Sequence, residues 1–250
     1  MCRHLAYLGP PTSLADLLLH PAHSLLEQTW APRDMRGGGT VNVDGFGAGW
    51  YADGEPELFR SAVPMWTDTA FAGLARRQRA GAVLAAVRSA TVGMPVIETA
   101  CAPFRDGPWL FSHNGVVAGW PDSLAKAAAE LDVIDLMTLD APTDSAVLWA
   151  LLRQRLRAGQ DPALAVCGVL DQVAAVRPDS RLNLLVTDGR RIVASTWTHA
   201  LSVRRTADSV TVSSEPFGDD AEWTPVPDRH LVVADTTDVR IEPLPEGEHP

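Results

Sequence analysis

The sequence predicts an α+β domain in which antiparallel or mixed sheets carry helices on their outer faces. Short apolar segments bounded by Gly, Asp or Pro recur along the 250 residues and read as strands. Helical patterns come in runs between groups of strands instead of alternating with them one for one, which disfavours a doubly wound parallel sheet. No internal repeat and no long Gly/Ser/Pro-rich tract divides the chain, so residues 1–250 read as one domain.

In chain order, a strand over Arg3–Leu8 leads into a helix over Ser13–Leu19. A glycine-rich strand, Gly45–Tyr51, precedes a helix over Thr67–Arg79 and an apolar strand over Ala82–Arg88. Trp109–Ser112 reads as a strand that enters a turn at Asn114-Gly115. Helices follow over Ser123–Leu131, Asp144–Ala158 and Pro162–Val176. Thr143 is the N-cap candidate for the second of these, and Val147, Leu148, Leu151 and Leu152 form its apolar stripe. Strands over Leu182–Thr187, Ile192–Thr196, Val210–Ser213 and Leu231–Ala234 complete the chain.

Composition removes several function classes. With 21 Lys+Arg against 31 Asp+Glu, a net charge of −10 and no dense basic block, a nucleic-acid partner is not expected. No apolar run is long enough for a signal core or a membrane span, which predicts a cytoplasmic chain with no membrane partner. Lys126 is the sole lysine, so anion recognition falls to arginine. Cys2, Cys101 and Cys167 are widely spaced and form no CxxC pair, against a disulfide framework or a thiolate zinc site. Cys101 and Cys167 read as structural. The histidines show no metal-ligand spacing, and neither a metal nor a cofactor is assigned. Gly45-Phe46-Gly47-Ala48-Gly49 lacks the following helix and acidic residue of a dinucleotide loop, and its glycines read as allowing close strand approach. Gly37-Gly38-Gly39 reads either as a loop over a pocket or as an inert surface turn.

Cys2 carries distinctive chemistry. A small residue after the initiator methionine permits methionine removal, leaving a thiol and an α-amine on one residue. Their unperturbed pKa values, about 8.5 and about 7.7–8.0, let a partly neutral amine accept the thiol proton near neutral pH. Position alone does not separate this from a cysteine that happens to follow methionine. The other candidates are equally open on residues alone. Asn114 and the Gly115 N–H can donate to an oxyanion, or make an ordinary Asn-Gly turn. Arg88, ending an apolar strand, can grip a carboxylate or form a structural ion pair. Asp144, opening a helix, can receive an ammonium or complement the helix dipole.

Together, and in this order, Met-Cys-Arg-His at the start, Asn42 through Tyr51, Arg88-Ser89-Ala90-Thr91, Ser112-His113-Asn114-Gly115 and Thr143-Asp144-Ser145 resemble the class II glutamine amidotransferases. That resemblance implies the four-layer αββα sandwich of the N-terminal-nucleophile hydrolases. It implies Cys2 as nucleophile with its freed amine as base, and Asn114 and Gly115 as oxyanion hole. Arg88 is implied for the substrate α-carboxylate and Asp144 for its α-ammonium, while His113, in the same motif, is expected among the substrate-binding residues. Ser213-Ser214-Glu215-Pro216 and the opening residues look like the stand-alone hydrolase branch. By that resemblance the partner is a small γ-glutamyl substrate, γ-glutamyl-hercynylcysteine S-oxide of ergothioneine biosynthesis. A γ-glutamyl hydrolase acting on glutathione-like peptides, or a glutaminase subunit feeding ammonia to a separate synthase, would share the same residues. A trimethylated histidine in the leaving group suits an aromatic wall, with Trp30, Trp50, Trp66 and Trp120 near loops or motifs. No oligomeric state is assigned.

Overall fold

The structure, a computed structural model, describes residues 2–36, 38, 41–218 and 222–245. Of the triglycine turn only Gly38 is among them; Met1, Gly37 and Gly39 lie outside the described residues.

In chain order the strands are β1 (Arg3–Ser13), β2 (Phe46–Ala52), β3 (Glu55–Ser61), β4 (Arg79–Val87), β5 (Phe104–Asp106), β6 (Trp109–Val116), β7 (Arg181–Thr187), β8 (Ile192–Ser195), β9 (Ser202–Arg205), β10 (Val210–Ser213), β11 (Trp223–Pro225), β12 (His230–Ala234) and β13 (Val239–Pro243). The helices are α1 (Leu14–Leu18), α2 (Thr69–Arg77), α3 (Ala125–Ala128), α4 (Val133–Met137), α5 (Asp144–Arg157) and α6 (Pro162–Ala174). One antiparallel sheet has the order β11-β9-β10-β1-β4-β2-β3 and the other β13-β12-β8-β7-β6-β5.

The strand period of two builds the layers. On β1, Leu5 and Tyr7 pack with Leu14, Leu18 and Phe71 of the helical side, while Ala6 and Leu8 pack with Leu110, Leu185 and Ile192 of the second sheet. On β6 the division repeats: Leu110 faces the first sheet, and Phe111 stacks on Trp149 of α5 with centroids 5.3 Å apart. Helices α1 and α2 therefore cover one sheet, and α5 and α6 cover the other. The result is the expected four-layer αββα sandwich.

The glycines of β2 bring the sheets together. A Cβ at Gly47 would lie 2.4 Å from the Ala102 carbonyl oxygen, and one at Gly49 would lie 2.7 Å from Leu110. Helix starts follow their caps: the Thr143 hydroxyl accepts the Ala146 N–H, and Asp68 accepts that of Phe71, so α2 begins two residues later than the apolar pattern suggests.

Two expectations are corrected. Asn114-Gly115 is not a turn; both residues lie inside β6, opposite Asn183 and Leu182 of β7. The strand continues because β7 supplies a partner along the whole segment, and tertiary pairing overrides the local turn signal. The first strand also runs on through Gly9-Pro10-Pro11 to Ser13, with a register shift between Leu8 and Thr12 that absorbs the prolines.

His4 sits between the sheets, its Nδ1 3.2 Å from the Ser112 hydroxyl and its Nε2 buried without a partner. Burial, with the neighbouring His113, His199 and Arg3, brings its pKa down to about 3; burial does the same to His199, helped chiefly by Arg181. Both rings are neutral in the folded chain and bind a proton below about pH 6.5 once unfolded. The unfolded chain then holds more protons, so stability present above that pH is lost as it falls towards 3. Urea unfolding at pH 7, 5.5 and 4 should show this decline, with a shallower slope in His4→Gln.

Candidate active site

Antiparallel pairing of β1 with β4 sets Arg3 opposite Val87, so Cys2 and Arg88, each one residue outside the ladder, meet at the same end of the first sheet. The Cys2 Sγ lies 3.9 Å from the Ser89 carbonyl oxygen. Cys2, Arg88, Ser89, Thr91, Gly115 and Asp144 line one cleft, joined there by Ser145. Four stretches far apart in sequence converge on it, from the first sheet, the end of β6 and the start of α5.

The Arg88 guanidinium donates through Nη1 to the Pro95 carbonyl at 2.9 Å, and among the described residues no carboxylate forms an ion pair with it. The structural ion-pair alternative therefore falls away. The strand end beneath it is fixed by Asp44, whose N–H donates to the Arg88 carbonyl at 3.0 Å and whose carboxylate accepts the Ala90 N–H at 2.7 Å.

Gly115 contributes its backbone. Its partner across the ladder, Leu182, sends its N–H away from β6 to the Trp197 carbonyl. Gly115 and Leu182 thus form a non-hydrogen-bonded pair, and the Gly115 N–H faces the free edge of β6. Two residues on, the Val117 N–H points to that same edge and donates to Asp144 Oδ2 at 2.9 Å. No side chain fits at Gly115, because a Cβ would lie 1.9 Å from the Arg181 carbonyl oxygen.

Asn114 points the other way, between the sheets. It is buried, and its Oδ1, an acceptor, has no hydrogen-bond partner among the described residues, an uncommon state for a buried amide. It lines a second, smaller space with Arg3, Asp34, His199, Ala200 and Ser214.

His113 faces α5. Its Nε2 lies 2.9 Å from the Arg181 carbonyl, an acceptor, so that nitrogen carries the proton. Burial holds the ring's pKa below the ordinary histidine value, so Nδ1 is left as an acceptor and takes the Ser145 hydroxyl at 2.9 Å. Both ring nitrogens are thereby engaged within the protein. Ser145 was not singled out from sequence, although it stands in the Thr143-Asp144-Ser145 motif. The Asp144 carboxylate is fixed by the N–H groups of Val117 and Ser145.

A buried ion pair anchors the Cys2 backbone. Arg3 Nε donates to Glu215 Oε1 at 2.6 Å, and Arg3 Nη1 donates to the Cys2 carbonyl at 2.9 Å. The remaining terminal nitrogen of Arg3 donates to the Asp34 carbonyl. Glu215 also accepts from His23 Nε2 and from the N–H groups of Arg33 and Asp34. Burial pushes this carboxyl's pKa up, but His23, the Arg3 guanidinium and the Arg33 N–H outweigh it and bring it to about 2. The quoted Ser213-Ser214-Glu215-Pro216 was the available signal, yet nothing in it says that its partner is residue 3.

The other cysteines are structural. The buried Cys101 thiol donates to the carbonyls of Ser61 and Ile97, and burial pushes its pKa to about 11, while Cys167 lies in the α6 core. Trp50 is buried, and Trp30 and Trp66 pack edge to face. Trp120 lines an open space beside the cleft with Thr91, Met94 and Pro142. Among the described residues no helix is long and apolar enough to cross a membrane.

The chain is similar in sequence and fold to known proteins. The chain is 44% identical over 245 residues to a gamma-glutamyl-hercynylcysteine sulfoxide hydrolase of Mycolicibacterium smegmatis, covering 98% of this chain and 100% of that protein. It is 41% identical over 252 residues to the protein of that name in Mycobacterium tuberculosis, covering both chains completely. A solved structure of a glutamine aminotransferase class-II domain protein from Silicibacter pomeroyi has the same fold, with a TM-score of 0.70 at 24% identity over 97% of this chain and 99% of that one. Residues 27–211 match the family described as glutamine amidotransferases class-II. A cysteine at position 2, an arginine at the end of β4 and a β6 edge meeting the start of α5 thus stand on the scaffold of that family, and the chain belongs to the class II glutamine amidotransferases.

Proposed function

We propose that this chain hydrolyses the γ-glutamyl amide of γ-glutamyl-hercynylcysteine S-oxide to glutamate and hercynylcysteine S-oxide, acting as one catalytic domain whose mature N-terminus is Cys2. The observation that carries the reading is the convergence of Cys2, Arg88, Gly115 and Asp144 on a single cleft, in a chain alignable end to end with hydrolases of that name.

The chemistry follows from the groups present. The neutral α-amine of Cys2 takes the thiol proton as sulfur attacks the γ-carbonyl carbon, and the carbonyl π pair moves onto oxygen. The Gly115 N–H and the Asn114 side-chain amide receive that oxyanion. The amine returns its proton to the departing nitrogen, the C–N bond breaks, and a glutamyl thioester remains. Water then gives a proton to the same amine while attacking the thioester; the C–S bond breaks, and the thiolate recovers the proton. Arg88 and Asp144 hold the α-carboxylate and α-ammonium of the glutamyl end, fixing the reacting carbon over the sulfur. His113, which lines a space with Cys2, Arg88 and Ser145, orients the Ser145 hydroxyl beside Asp144.

Incubation with the conjugate and with glutamine, quantifying glutamate, hercynylcysteine S-oxide and ammonia, tests the reaction: stoichiometric ammonia from glutamine with an inert conjugate would overturn it. Cys2→Ala should be inactive, and intact mass should show active enzyme beginning at Cys2. Asn114→Ala should lose about 2.7–4 kcal/mol of transition-state stabilisation, a fall in kcat of roughly two to three orders of magnitude. Arg88→Gln should raise KM by about tenfold or more through loss of a charge-assisted hydrogen bond.

A further inference from the structure

A substrate anchored by its glutamyl end leads its leaving amine away from Arg88 and Asp144. Beside Cys2, whose carbonyl Arg3 holds, lies a tightly closed space lined by Arg3, Asn114, Asp34, His199, Ala200 and Ser214. Asp34, Ala200 and Ser214 continue from it into an open groove of about 440 Å³, whose outer wall is Arg33, Met35 and Arg36. That volume falls in the range of small-molecule sites.

The wall is built onto the catalytic frame. Glu215 accepts the Arg33 and Asp34 N–H groups, and Arg3 donates to the Asp34 carbonyl as well as to that of Cys2. Beyond this anchor, the Arg36 guanidinium lines the groove. Its Nε donates to Asp34 Oδ2 at 2.8 Å, one terminal nitrogen lies 2.5 Å from the same carboxylate, and the other donates to the Thr198 carbonyl at 3.3 Å. These contacts leave one N–H on each terminal nitrogen without a partner among the described residues. Arg36 is about half exposed, and the Asp34 carboxylate is partly open to the groove.

A carboxylate and a guanidinium side by side present both signs of charge to a ligand that carries both on neighbouring atoms. We propose that the Asp34–Arg36 pair is the specificity site for the zwitterionic end of the leaving amine. Arg36 takes its carboxylate through the free N–H groups, and Asp34 faces its quaternary ammonium, which carries charge but no proton to donate. The assignment rests on the substrate reading above, in which the hercynyl carbon bears a carboxylate and a trimethylammonium together. The alternative space lined by Trp120 adjoins Thr91 and Met94, on the side the glutamyl end occupies.

The test compares kcat/KM for γ-glutamyl-hercynylcysteine S-oxide with that for γ-glutamyl-S-methylcysteine S-oxide, which keeps the scissile bond, sulfoxide and cysteine carboxylate but lacks the betaine. Arg36→Met and Asp34→Asn should each lower the ratio of the two by about tenfold or more. A purely structural role would lower both substrates by one factor, and that result would overturn the proposal. A ratio unchanged in these variants but altered in Trp120→Leu would move the betaine to the other space and overturn it equally. If the wild-type enzyme cleaves the methyl conjugate and leaves the hercynyl conjugate intact, the substrate reading itself fails and takes the assignment with it.

Discussion

The Arg3–Glu215 ion pair is the contact on which the site geometry depends. Both side chains are almost completely buried, and removing one partner of such a pair leaves an uncompensated charge at a cost of about 3–5 kcal/mol. A buried pair of this kind is weak evidence of net stabilisation, because desolvation offsets much of the attraction. Its value lies in what it aligns. One guanidinium holds the carbonyl of Cys2 and that of Asp34, and one carboxylate holds the 33–34 backbone and His23. The start of the chain, the turn after β10 and the wall of the outer groove are fixed relative to one another by a single pair of charges.

Around this anchor, sheet geometry does the positioning. Register between β1 and β4 brings Cys2 beside Arg88, and the pairing parity of β6 with β7 turns the Gly115 N–H outward. Backbone donors placed this way need no reorganisation when an oxyanion develops, whereas a donor on a flexible side chain must be held by packing. Asn114 is buried between the sheets, where packing holds its side chain. The glycines at positions 47 and 49 belong to the same logic, since a Cβ at Gly49 would push into Leu110 of the second sheet and one at Gly47 into the chain before β5.

The two spaces differ in character. The cleft at Cys2 is lined by polar groups already tied to the backbone, such as Asp144 with the N–H groups of Val117 and Ser145. The outer groove is open, and its charged residues are partly exposed.

Much of this was legible in the amino-acid order. Short apolar segments bounded by Gly, Asp or Pro located β4, β7 and β10 to within three residues and the start of β1, and Thr143 announced the start of α5, because these signals act between near neighbours. The strands β3, β5, β9, β11 and β13 carried too little apolar pattern of their own; they exist because a neighbouring strand offers hydrogen bonds. The motif residues Cys2, Arg88, Asn114, Gly115 and Asp144 were recognisable as types, but not the strand conformation of Asn114-Gly115, the engagement of both His113 nitrogens, or the Glu215 carboxylate beneath residue 3. Local preference and periodicity are written in adjacent residues. Tautomer, edge parity and a salt bridge spanning most of the chain are properties of groups that meet only when the two sheets close on each other.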